Sequence, residues 1–358
     1  MNYLNTKNHY DNCRFCWMCR QVCTVATMTN DETQSPRSRG LALYAAEKDI
    51  IKFDEPFAEA MYKCCLCDYC RSWCKGNYDP QEFILAARRD SVDLNIEPKH
   101  VKDLKNTLME WDNVYSSNIS DEFKNLWASL PDKGDVLLLA GGVIPFKAVE
   151  IAKAALSVFN KLGIKVAGVN EVRGTYELYS LGYYNEAYQK ALDLIEQLKS
   201  TGAKTIVALD TQERYFLSNL NEIFGLKLEA RVLDFSEFVE EAGIRFSNGV
   251  DNKVVYHDDS FLSRKCDNTE SPRKILASVP GTELIEMLWY KKEAHATPNA
   301  LYSSLCPNIA DKMLLRIINE FAETGADAII VSAANDYVGL KQAGVNVYSL
   351  AEFVDKAL

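Results

Sequence analysis

The sequence has no excess of positive charge and no long apolar run. Its 40 Lys and Arg are outnumbered by 50 Asp and Glu, giving a net charge of -10. Without a long basic stripe we expect no nucleic-acid partner. The most apolar run, residues 136–140, has the length of a strand, and the N-terminus shows no charged-then-apolar export pattern. We therefore expect a cytoplasmic protein without a direct membrane span, which reaches a membrane only through a partner.

The usual sequence marks of catalysis are also missing. There are four histidines, none at ligand spacing to another, and His257 at the end of a strand is expected to be structural. No Gly-x-Ser-x-Gly elbow, Walker loop or Gly-x-Gly-x-x-Gly follows a strand. The sequence therefore predicts no catalytic residue. A non-catalytic subunit is favoured over an enzyme that acts alone.

The feature that the sequence does have is cysteine, with 11 residues, eight of them in two runs of the form C-x-x-C-x-x-C-x-x-x-C. Three thiolates at this spacing can wrap one face of a cubane cluster, and the fourth then serves the other cluster. Zinc sites usually draw two cysteines from each of two knuckles, and disulfides do not suit a reducing cytoplasm. We therefore predict two [4Fe-4S] clusters with crossed ligand sets. Cluster one takes Cys13, Cys16, Cys19 and Cys74, and cluster two takes Cys64, Cys67, Cys70 and Cys23.

Bulky apolar residues lie beside the ligands in both runs. Phe15 and Trp17 lie in the first run, and Leu66 and Tyr69 in the second. Side chains of this kind exclude water from a cluster and influence its reduction potential. Cys65, between two ligands, is predicted to be a small buried side chain rather than a ninth ligand.

A helical spacer separates the two runs. Ser35 followed by Pro36 predicts an N-cap with Pro at the first helical position. Arg37 and Arg39 then fall at the start of this helix. They are interpreted either as a pair that docks a partner or tunes a cluster, or as an ordinary solvated helix end.

The pattern beyond the cysteines predicts an α plus α/β protein. Helical periodicity continues to residue 130, and strands then alternate with helices, which indicates mostly parallel sheets. Residues 201–204 are echoed by 324–327, and residues 235–239 by 350–354, about 120 residues on. We predict an all-α two-cluster ferredoxin domain over residues 1–130. Two tandem α/β repeats follow, over 131–250 and 251–358.

A helical two-cluster ferredoxin followed by a duplicated α/β unit resembles the iron–sulfur subunits of the heterodisulfide-reductase-like group, which includes the glycolate-oxidase iron–sulfur subunit. The sharpest marks are the two cysteine runs, Ser35-Pro36-Arg37, residues 256–258 (Tyr-His-Asp) and residues 271–273 (Ser-Pro-Arg) leading to Pro280-Gly281. The resemblance implies an electron-transfer subunit in a hetero-oligomer. Its partner would be an FAD-binding dehydrogenase of 2-hydroxy acids or glycerol 3-phosphate, with an electron-transferring flavoprotein or a ferredoxin as a further redox partner.

The chain departs from this group in its α/β half. The group normally carries a Cys-Cys-Gly core and a later C-x-x-C in each repeat, whereas here those places hold Arg173-Gly174, residues 210–213, Ser260 and residues 334–337. Because Ser, Gly, Ala and Asn are poor substitutes for thiolate, a disulfide-cleaving cluster is not expected. We expect the repeats to be a docking scaffold. The alternative is a polar ligand cleft formed by Asp210, Glu213, Arg173 and Asp258.

Three functions remain open from the sequence. The favoured function is a relay of single electrons between the partner flavoprotein and another redox carrier, since a flavin handles two electrons and a cluster one. The second is a heterodisulfide-reductase-like subunit with its own substrate site. The third is a protein whose clusters are structural or act in sensing.

Overall fold

The computed structural model describes residues 1–11, 13, 16–76, 78–169, 171–250 and 252–358. The first part of the chain is helical: α1 (Lys7–Asp11), α2 (Met18–Val22), α3 (Thr24–Thr29), α4 (Pro36–Glu47), α5 (Glu55–Tyr62), α6 (Tyr69–Trp73), α7 (Pro80–Asp93), α8 (Lys99–Trp111) and α9 (Asp121–Trp127). The middle part has β1 (Val136–Leu139), α10 (Ile144–Lys147), α11 (Val149–Lys161), β2 (Ala167–Gly168), α12 (Thr175–Leu181), α13 (Tyr184–Ser200), β3 (Thr205–Ala208), α14 (Thr211–Ser218), α15 (Leu220–Phe224), β4 (Arg231–Asp234) and α16 (Phe235–Glu241). The last part has β5 (Asn252–His257), α17 (Ser271–Ser278), β6 (Thr282–Ile285), α18 (Ala300–Leu305), α19 (Pro307–Thr324), β7 (Ala328–Val331), α20 (Ala334–Gln342), β8 (Val347–Ser349) and α21 (Leu350–Ala357). Short 3-10 helices lie at Asn2–Thr6, Glu32–Gln34 and Lys291–Glu293, and a π-helical turn at Phe261–Lys265.

Two four-stranded sheets, each wholly parallel, form the α/β part. Their orders are β2-β1-β3-β4 and β6-β5-β7-β8. The registers pair Leu137 with Ile206 and Val255 with Ile329 in the two sheet centres. Central strands that are buried on both faces require continuous apolar sequence, as in β1 and β7. The predicted α plus α/β class with mostly parallel sheets is therefore confirmed.

The chain divides into two compact units. We call the first the cysteine unit; it comprises Met1–Ser116, Gly174–Gln189 and Pro298–Met313. The second is the sheet unit, with Ser117–Arg173, Lys190–Thr297 and Leu314–Leu358. The ferredoxin character of the helical part, the duplication and the three predicted domain bounds stay predictions.

Each unit has a core of its own. The cysteine unit buries aromatic residues of its N-terminal helices, with Phe83 and Ile84 of α7 fully covered. The sheet unit buries a larger core, in which strand residues such as Leu138 and Ile330 pack against helices on the sheets. Burial of such side chains contributes about 1.5–3 kcal/mol each.

Several local predictions can be compared with these elements. Ser35 is the N-cap of α4, and its hydroxyl accepts a hydrogen bond from the backbone N–H of Ser38, with Pro36 at the first turn. The helical segment after β1 is divided into two helices, because Ala148 between α10 and α11 leaves the helical region (φ -146°, ψ 46°). None of the helices in the described ranges is both long enough and apolar enough to span a membrane.

Candidate metal centre

Each cysteine run makes the same local turn. The residue after the second cysteine, Trp17 or Asp68, has a positive φ of 68° or 62°. A short helix starts immediately afterwards, α2 in the first run and α6 in the second, and these two helices pack against each other. A left-handed residue at this point turns the backbone sharply, so that the cysteines on either side can face a common centre. Phe15 lies outside the described residues.

One set of thiols gathers around Cys19. Burial raises the pKa of the Cys19 thiol to about 11, and the neighbouring sulfurs of Cys13, Cys74 and Cys16 raise it further. These are the partners of Cys19 in the predicted ligand set of cluster one. Cys74 comes from the second run, so the two runs meet in this group.

A second set gathers around Cys70. Burial raises the pKa of the Cys70 thiol well above its ordinary value, with a contribution from the Asp68 carboxylate and further ones from Cys67, Cys64 and Cys23. The pKa of Cys23 in turn is raised to about 12 by burial and by Cys67 and Cys64. Iron–sulfur ligands must be thiolates, so binding of a cluster would release these protons.

Backbone N–H groups point at several of these sulfurs. Leu66 and Tyr78 donate from their amides to the sulfurs of Cys64 and Cys74, both at 3.4 Å. The amide of Arg37 lowers the pKa of Cys19 by donating to its sulfur. Hydrogen bonds of this kind stabilise thiolate ligands. The donor set therefore fits an iron–sulfur cluster chemically.

The side chains around the sulfurs differ in exposure. Leu66 and Tyr69 are buried and keep water from the second set, as the sequence predicts. Trp17 is 43% exposed, and Cys16 beside it is exposed as well. The guanidinium of Arg37 lies 4.0 Å from the centre of the Trp17 ring, a cation–π contact. The first set is thus the more open of the two.

The interpretation of Arg39 as part of a solvated helix end is wrong. Arg39 is 1% exposed, and its guanidinium donates to the carbonyls of Ala60 (2.8 Å) and Gln34 and to the side-chain oxygen of Gln34 (3.2 Å). The carbonyl of Gln34 also accepts from the thiol of Cys23 at 3.8 Å. Arg39 therefore lies next to the second set, at a helix start that is buried.

The sequence interpretation missed Arg88, a second buried arginine. Arg88 lies on α7, and its guanidinium donates to the carbonyl of Cys64 at 2.6 Å. The signal was available, because residues 83, 84 and 87 form the apolar face of this helix and residue 88 continues it. A charged side chain on a core-facing position is uncommon unless it has a specific partner.

The remaining cysteines have separate environments. Cys65 interacts with the sulfur of Cys67, and burial is a further cause of its strongly raised pKa. Cys306 belongs to the cysteine unit, whereas Cys266 is the only cysteine of the sheet unit. Within the described ranges, no three His, Cys, Asp or Glu side chains converge on a point that would suit a single metal ion.

All four residues proposed for a polar cleft lie in the sheet unit, and three of them, Arg173, Asp210 and Glu213, lie beside Gly141. Arg173 contacts the carboxylate of Glu171 (3.3 Å), and Asp258 pairs with Arg273 through bonds of 2.7 and 2.8 Å. Asp210 accepts from the amide of Ala334 at 3.4 Å, and Glu213 lies near Gly141. Glu171 and Arg273 were missed by the sequence interpretation. Arg273 lies 15 residues from Asp258, whereas Glu171 lies only two residues from Arg173.

His257 is fully buried at the end of β5. Its Nε2 lies 3.4 Å from Oδ2 of Asp336, and neither ring nitrogen forms a hydrogen bond. Burial lowers the pKa of His257 to about 4 and raises that of Asp336 well above its usual value. His257 is therefore neutral near pH 7. This environment is that of a structural rather than a charged histidine.

Comparisons with known proteins give iron–sulfur relatives. One subunit of the dihydromethanophenazine:CoB–CoM heterodisulfide reductase of Methanosarcina mazei, designated D, is 24% identical over 65% of this chain. Its counterpart in Methanosarcina acetivorans is 26% identical over the same share. An uncharacterised iron–sulfur protein of Methanococcus maripaludis is 25% identical over 77% of the chain.

This chain is a homologue of the heterodisulfide-reductase-like iron–sulfur proteins. It covers 60% of the length of the two Methanosarcina subunits and 56% of the Methanococcus protein. No family model matches the chain. These relationships and the clustering of cysteines support an iron–sulfur cofactor and a redox role.

A solved structure shares the fold. The crystal structure of a hypothetical protein from Helicobacter pylori matches 89% of this chain and 67% of its own, with a TM-score of 0.60 and 12% sequence identity. At this identity the likeness concerns the fold alone.

Proposed function

We propose that the chain is an electron-transfer subunit that binds two [4Fe-4S] clusters. One is held by Cys13, Cys16, Cys19 and Cys74, and the other by Cys64, Cys67, Cys70 and Cys23. The observation that supports the proposal is that the thiol of Cys19 lies near those of Cys13, Cys16 and Cys74, and the thiol of Cys70 near those of Cys23, Cys64 and Cys67. Each group includes one cysteine of the opposite run, and Cys65 also interacts with the second group. When bound, such a cluster accepts and releases one electron at a time.

The chain's own residues prepare each set for this role. The thiolates hold the iron, and the amides of Leu66 and Tyr78 donate to sulfur and so balance its negative charge. Buried Tyr69 and Tyr78 exclude water. The hydroxyl of Tyr78 donates to the carbonyl of Pro36 at 2.6 Å, which fixes its ring beside Cys74. These contacts restrict movement of the ligands, which favours rapid electron transfer because little structure changes on reduction.

The partner in this proposal is an FAD-binding dehydrogenase, of the 2-hydroxy-acid or glycerol-3-phosphate type, in the cytoplasm. The relatives from Methanosarcina are named as subunits of a larger reductase, which supports a hetero-oligomer. Two single-electron carriers suit a flavin that releases two electrons. An electron-transferring flavoprotein or a ferredoxin would be the second redox partner.

The α/β residues act as a docking scaffold in this proposal. The ferredoxin domain would comprise residues 1–130, and the repeats 131–250 and 251–358. The identical strand order of the two sheets supports a duplication. The strand ends of the sheet unit hold buried ion pairs such as Asp258 with Arg273 rather than thiolates, which supports a structural role.

A second candidate is a reductase subunit with its own substrate site. The names of the Methanosarcina relatives favour it. The composition of the sheet unit counts against it, because Cys266 is its single cysteine and a thiolate-ligated cluster needs several. Purified protein supplied with a chemical donor should reduce a disulfide if this candidate is correct, and should not if the chain is a relay.

Iron analysis and co-purification test the main proposal. Anaerobically prepared protein should contain about eight iron atoms per chain. Redox titration followed by EPR should show both clusters cycling, and purification from the native host should bring a flavoprotein with the chain. Zinc in place of iron, or about four irons, would contradict the ligand sets. Clusters that do not cycle would instead indicate a structural or sensing role.

A further inference from the structure

Two arginines are among the largest fully buried side chains of the protein. Arg39 and Arg88, both in the cysteine unit, are each 1% exposed. The Arg88 guanidinium donates to the carbonyls of Met61 (3.0 Å), Cys64 (2.6 Å) and Ser180 (2.7 Å). Arg39 donates to oxygen atoms of Ala60 and Gln34. All these acceptors are neutral carbonyl oxygens.

A buried guanidinium without a carboxylate carries a large electrostatic cost. Arginine keeps its charge in proteins, and removing that charge from water is favourable only when an anion or very good hydrogen bonds replace the lost hydration. Among the described residues neither Arg39 nor Arg88 forms an ion pair. By contrast, buried Arg273 of the sheet unit pairs with Asp258 and Glu286. Within the described part of the cysteine unit, no carboxylate pairs with either arginine, although the carboxylate of Asp68 lies near Cys70.

Both charges lie beside the second set of thiols. Arg88 binds the carbonyl of Cys64, and Arg39 binds the carbonyl of Gln34, which also contacts the thiol of Cys23. The two arginines are also close enough to interact with each other. Their common neighbour is thus the group of Cys64, Cys67, Cys70 and Cys23. A cluster bound there by four thiolates would carry negative charge and could offset the positive charges of the two arginines.

We infer that Arg39 and Arg88 raise the reduction potential of the cluster held by Cys64, Cys67, Cys70 and Cys23 above that of the other cluster. Reduction adds one negative charge, and a positive charge in a low-dielectric surrounding stabilises the reduced state. With both groups bound, an electron would pass from the group held by Cys13, Cys16, Cys19 and Cys74 to the other one, and no bond would form or break. This inference rests on the proposed function and gives it a direction.

The exposure of the two sets agrees with that direction. Cys16 and Trp17 of the first set are exposed, whereas Cys23 of the second is buried. An electron donor can therefore approach the first set from solvent. A neutral side chain could donate hydrogen bonds to the same carbonyls without the cost of burying a charge. These contacts alone therefore do not explain why arginine is found at both positions.

The test is an EPR-monitored redox titration of the full-length, cluster-loaded protein. The wild type should show two separate midpoint potentials. In Arg39→Gln the higher one should fall, so that the ratio of reduced to oxidised cluster at the wild-type midpoint drops at least tenfold, which is 59 mV for one electron. The lower potential should not move. Arg39→Lys, which keeps the charge, should restore at least half of the shift.

Arg71→Gln is the matched control. Arg71 lies between two ligands in sequence, but its side chain is 57% exposed and paired with Asp79, so solvent should screen its charge. Both potentials should stay at their wild-type values in this variant. An equal effect of Arg71→Gln and Arg39→Gln would overturn the inference, as would a shift confined to the lower potential.

A measurement on the wild type guards against a variant that does not fold. Because buried charges are screened little by salt, the gap between the two potentials should persist from low to high ionic strength. A gap that closes with salt, or two equal potentials, would contradict the inference. Iron content separates this failure from failure of the proposed function. About eight irons with no charge-dependent potential refutes only the role of the arginines, whereas absence of iron refutes the clusters themselves.

Discussion

The cysteine unit and the sheet unit balance buried charge in different ways. Ten of the 11 cysteines lie in the cysteine unit, and Cys266 alone lies in the sheet unit. Buried arginines of the sheet unit contact carboxylates, as in the pairs of Arg273 with Asp258 and Arg173 with Glu171. Among the described residues, buried Arg39 and Arg88 of the cysteine unit donate to carbonyl oxygens, and Arg88 also lies over the Tyr62 ring. The sheet unit thus supplies carboxylates to its buried arginines, whereas in the cysteine unit the proposed clusters would supply the negative charge.

The largest difference between the two units should follow from the removal of one cysteine ligand. We expect Cys67→Ala to lose the cluster held by Cys64, Cys67, Cys70 and Cys23, so that iron falls from about eight to about four atoms per chain. Helices of the cysteine unit should lose hydrogen-exchange protection, because metal binding is coupled to folding. Helices of the sheet unit, such as α11, should keep it. Iron analysis and hydrogen-exchange mass spectrometry measure the two effects.

Two cysteine variants serve as controls for that experiment. Cys266→Ala should leave the iron content at the wild-type value, since it lies in the other unit. Cys65→Ala is the stricter control, because Cys65 is a sequence neighbour of Cys64 and contacts Cys67 without being a predicted ligand. Loss of about four irons in Cys65→Ala would show that the ligand set is wrong.

The corresponding substitution in the sheet unit is Arg273→Met. This change leaves the buried carboxylate of Asp258 without its guanidinium, although the amide of Lys291 still donates to it at 2.6 Å. Removing one partner of a buried pair costs about 3–5 kcal/mol. Urea denaturation should show that loss, while the iron content should not change. Arg231→Met, which removes an exposed and solvent-screened pair with Glu241, should leave the stability nearly unchanged. Equal losses of unfolding free energy in the two variants would mean that the pair of Arg273 with Asp258 is as well solvated as the exposed pair.

The sequence predicts the candidate ligands of the cysteine unit better than it predicts the polar contacts of the sheet unit. Spacing alone identifies the ligand candidates, because metal ligation imposes short, fixed separations between cysteines. Apolar runs such as 136–139 and 328–331 identify parallel strands for a similar reason, since both faces of such strands are covered. These features are local, so they can be read without knowing the fold.

The missed residues depend on contacts between distant parts of the chain. Arg88 meets Cys64 across 24 residues and Ser180 across 92. Asp258 at the end of β5 meets Arg273 of α17 across 15 residues, which the sequence pattern does not indicate. The interruption of the helix at Ala148 likewise lacks a Pro or Gly at that position that would predict it. Charge placed on an apolar helix face, as at Arg88, is the one sequence signal that could have indicated such a site.

A smaller effect concerns acid stability of the sheet unit. Burial lowers the pKa of His257 to about 4, against an opposing contribution from Glu320, while Arg264 and His295 lower it further. An unfolded histidine binds a proton below about pH 6.5, whereas the folded one stays neutral down to about pH 4. Acidification through this window therefore favours unfolding. Between pH 7 and pH 5 this contribution amounts to about 2 kcal/mol.

His257→Gln isolates this contribution. The variant lacks the titrating group, so its free energy of unfolding should decline less than that of the wild type between pH 7 and pH 5, by about 2 kcal/mol. Asp336, which faces His257 at 3.4 Å, is present in both proteins and its titration should largely cancel in the difference. Parallel urea titrations at the two pH values give the result. An unchanged difference between the proteins would mean that His257 is protonated when folded.

The smallest effect compares two helix N-caps, one in each unit. Ser35 accepts from the amide of Ser38 at 3.3 Å, and Ser349 accepts from that of Glu352 at 3.2 Å in a capping box. Replacement of either by Ala should cost about 1 kcal/mol of unfolding free energy. Ser35, however, follows Gln34, whose carbonyl contacts both Cys23 and Arg39.

Loosening the Ser35 cap should therefore weaken the hold on the second cluster as well. We expect Ser35→Ala to speed iron loss to a chelator by up to about fivefold, the factor that corresponds to 1 kcal/mol. Ser349→Ala should leave that rate unchanged despite a similar cost in stability. Equal rates in the two variants would show that the start of α4 does not support the ligands, and that only global unfolding releases iron. A faster iron loss in Ser35→Ala than in Ser349→Ala would show that a single N-cap hydrogen bond supports the ligands in the cysteine unit but not in the sheet unit.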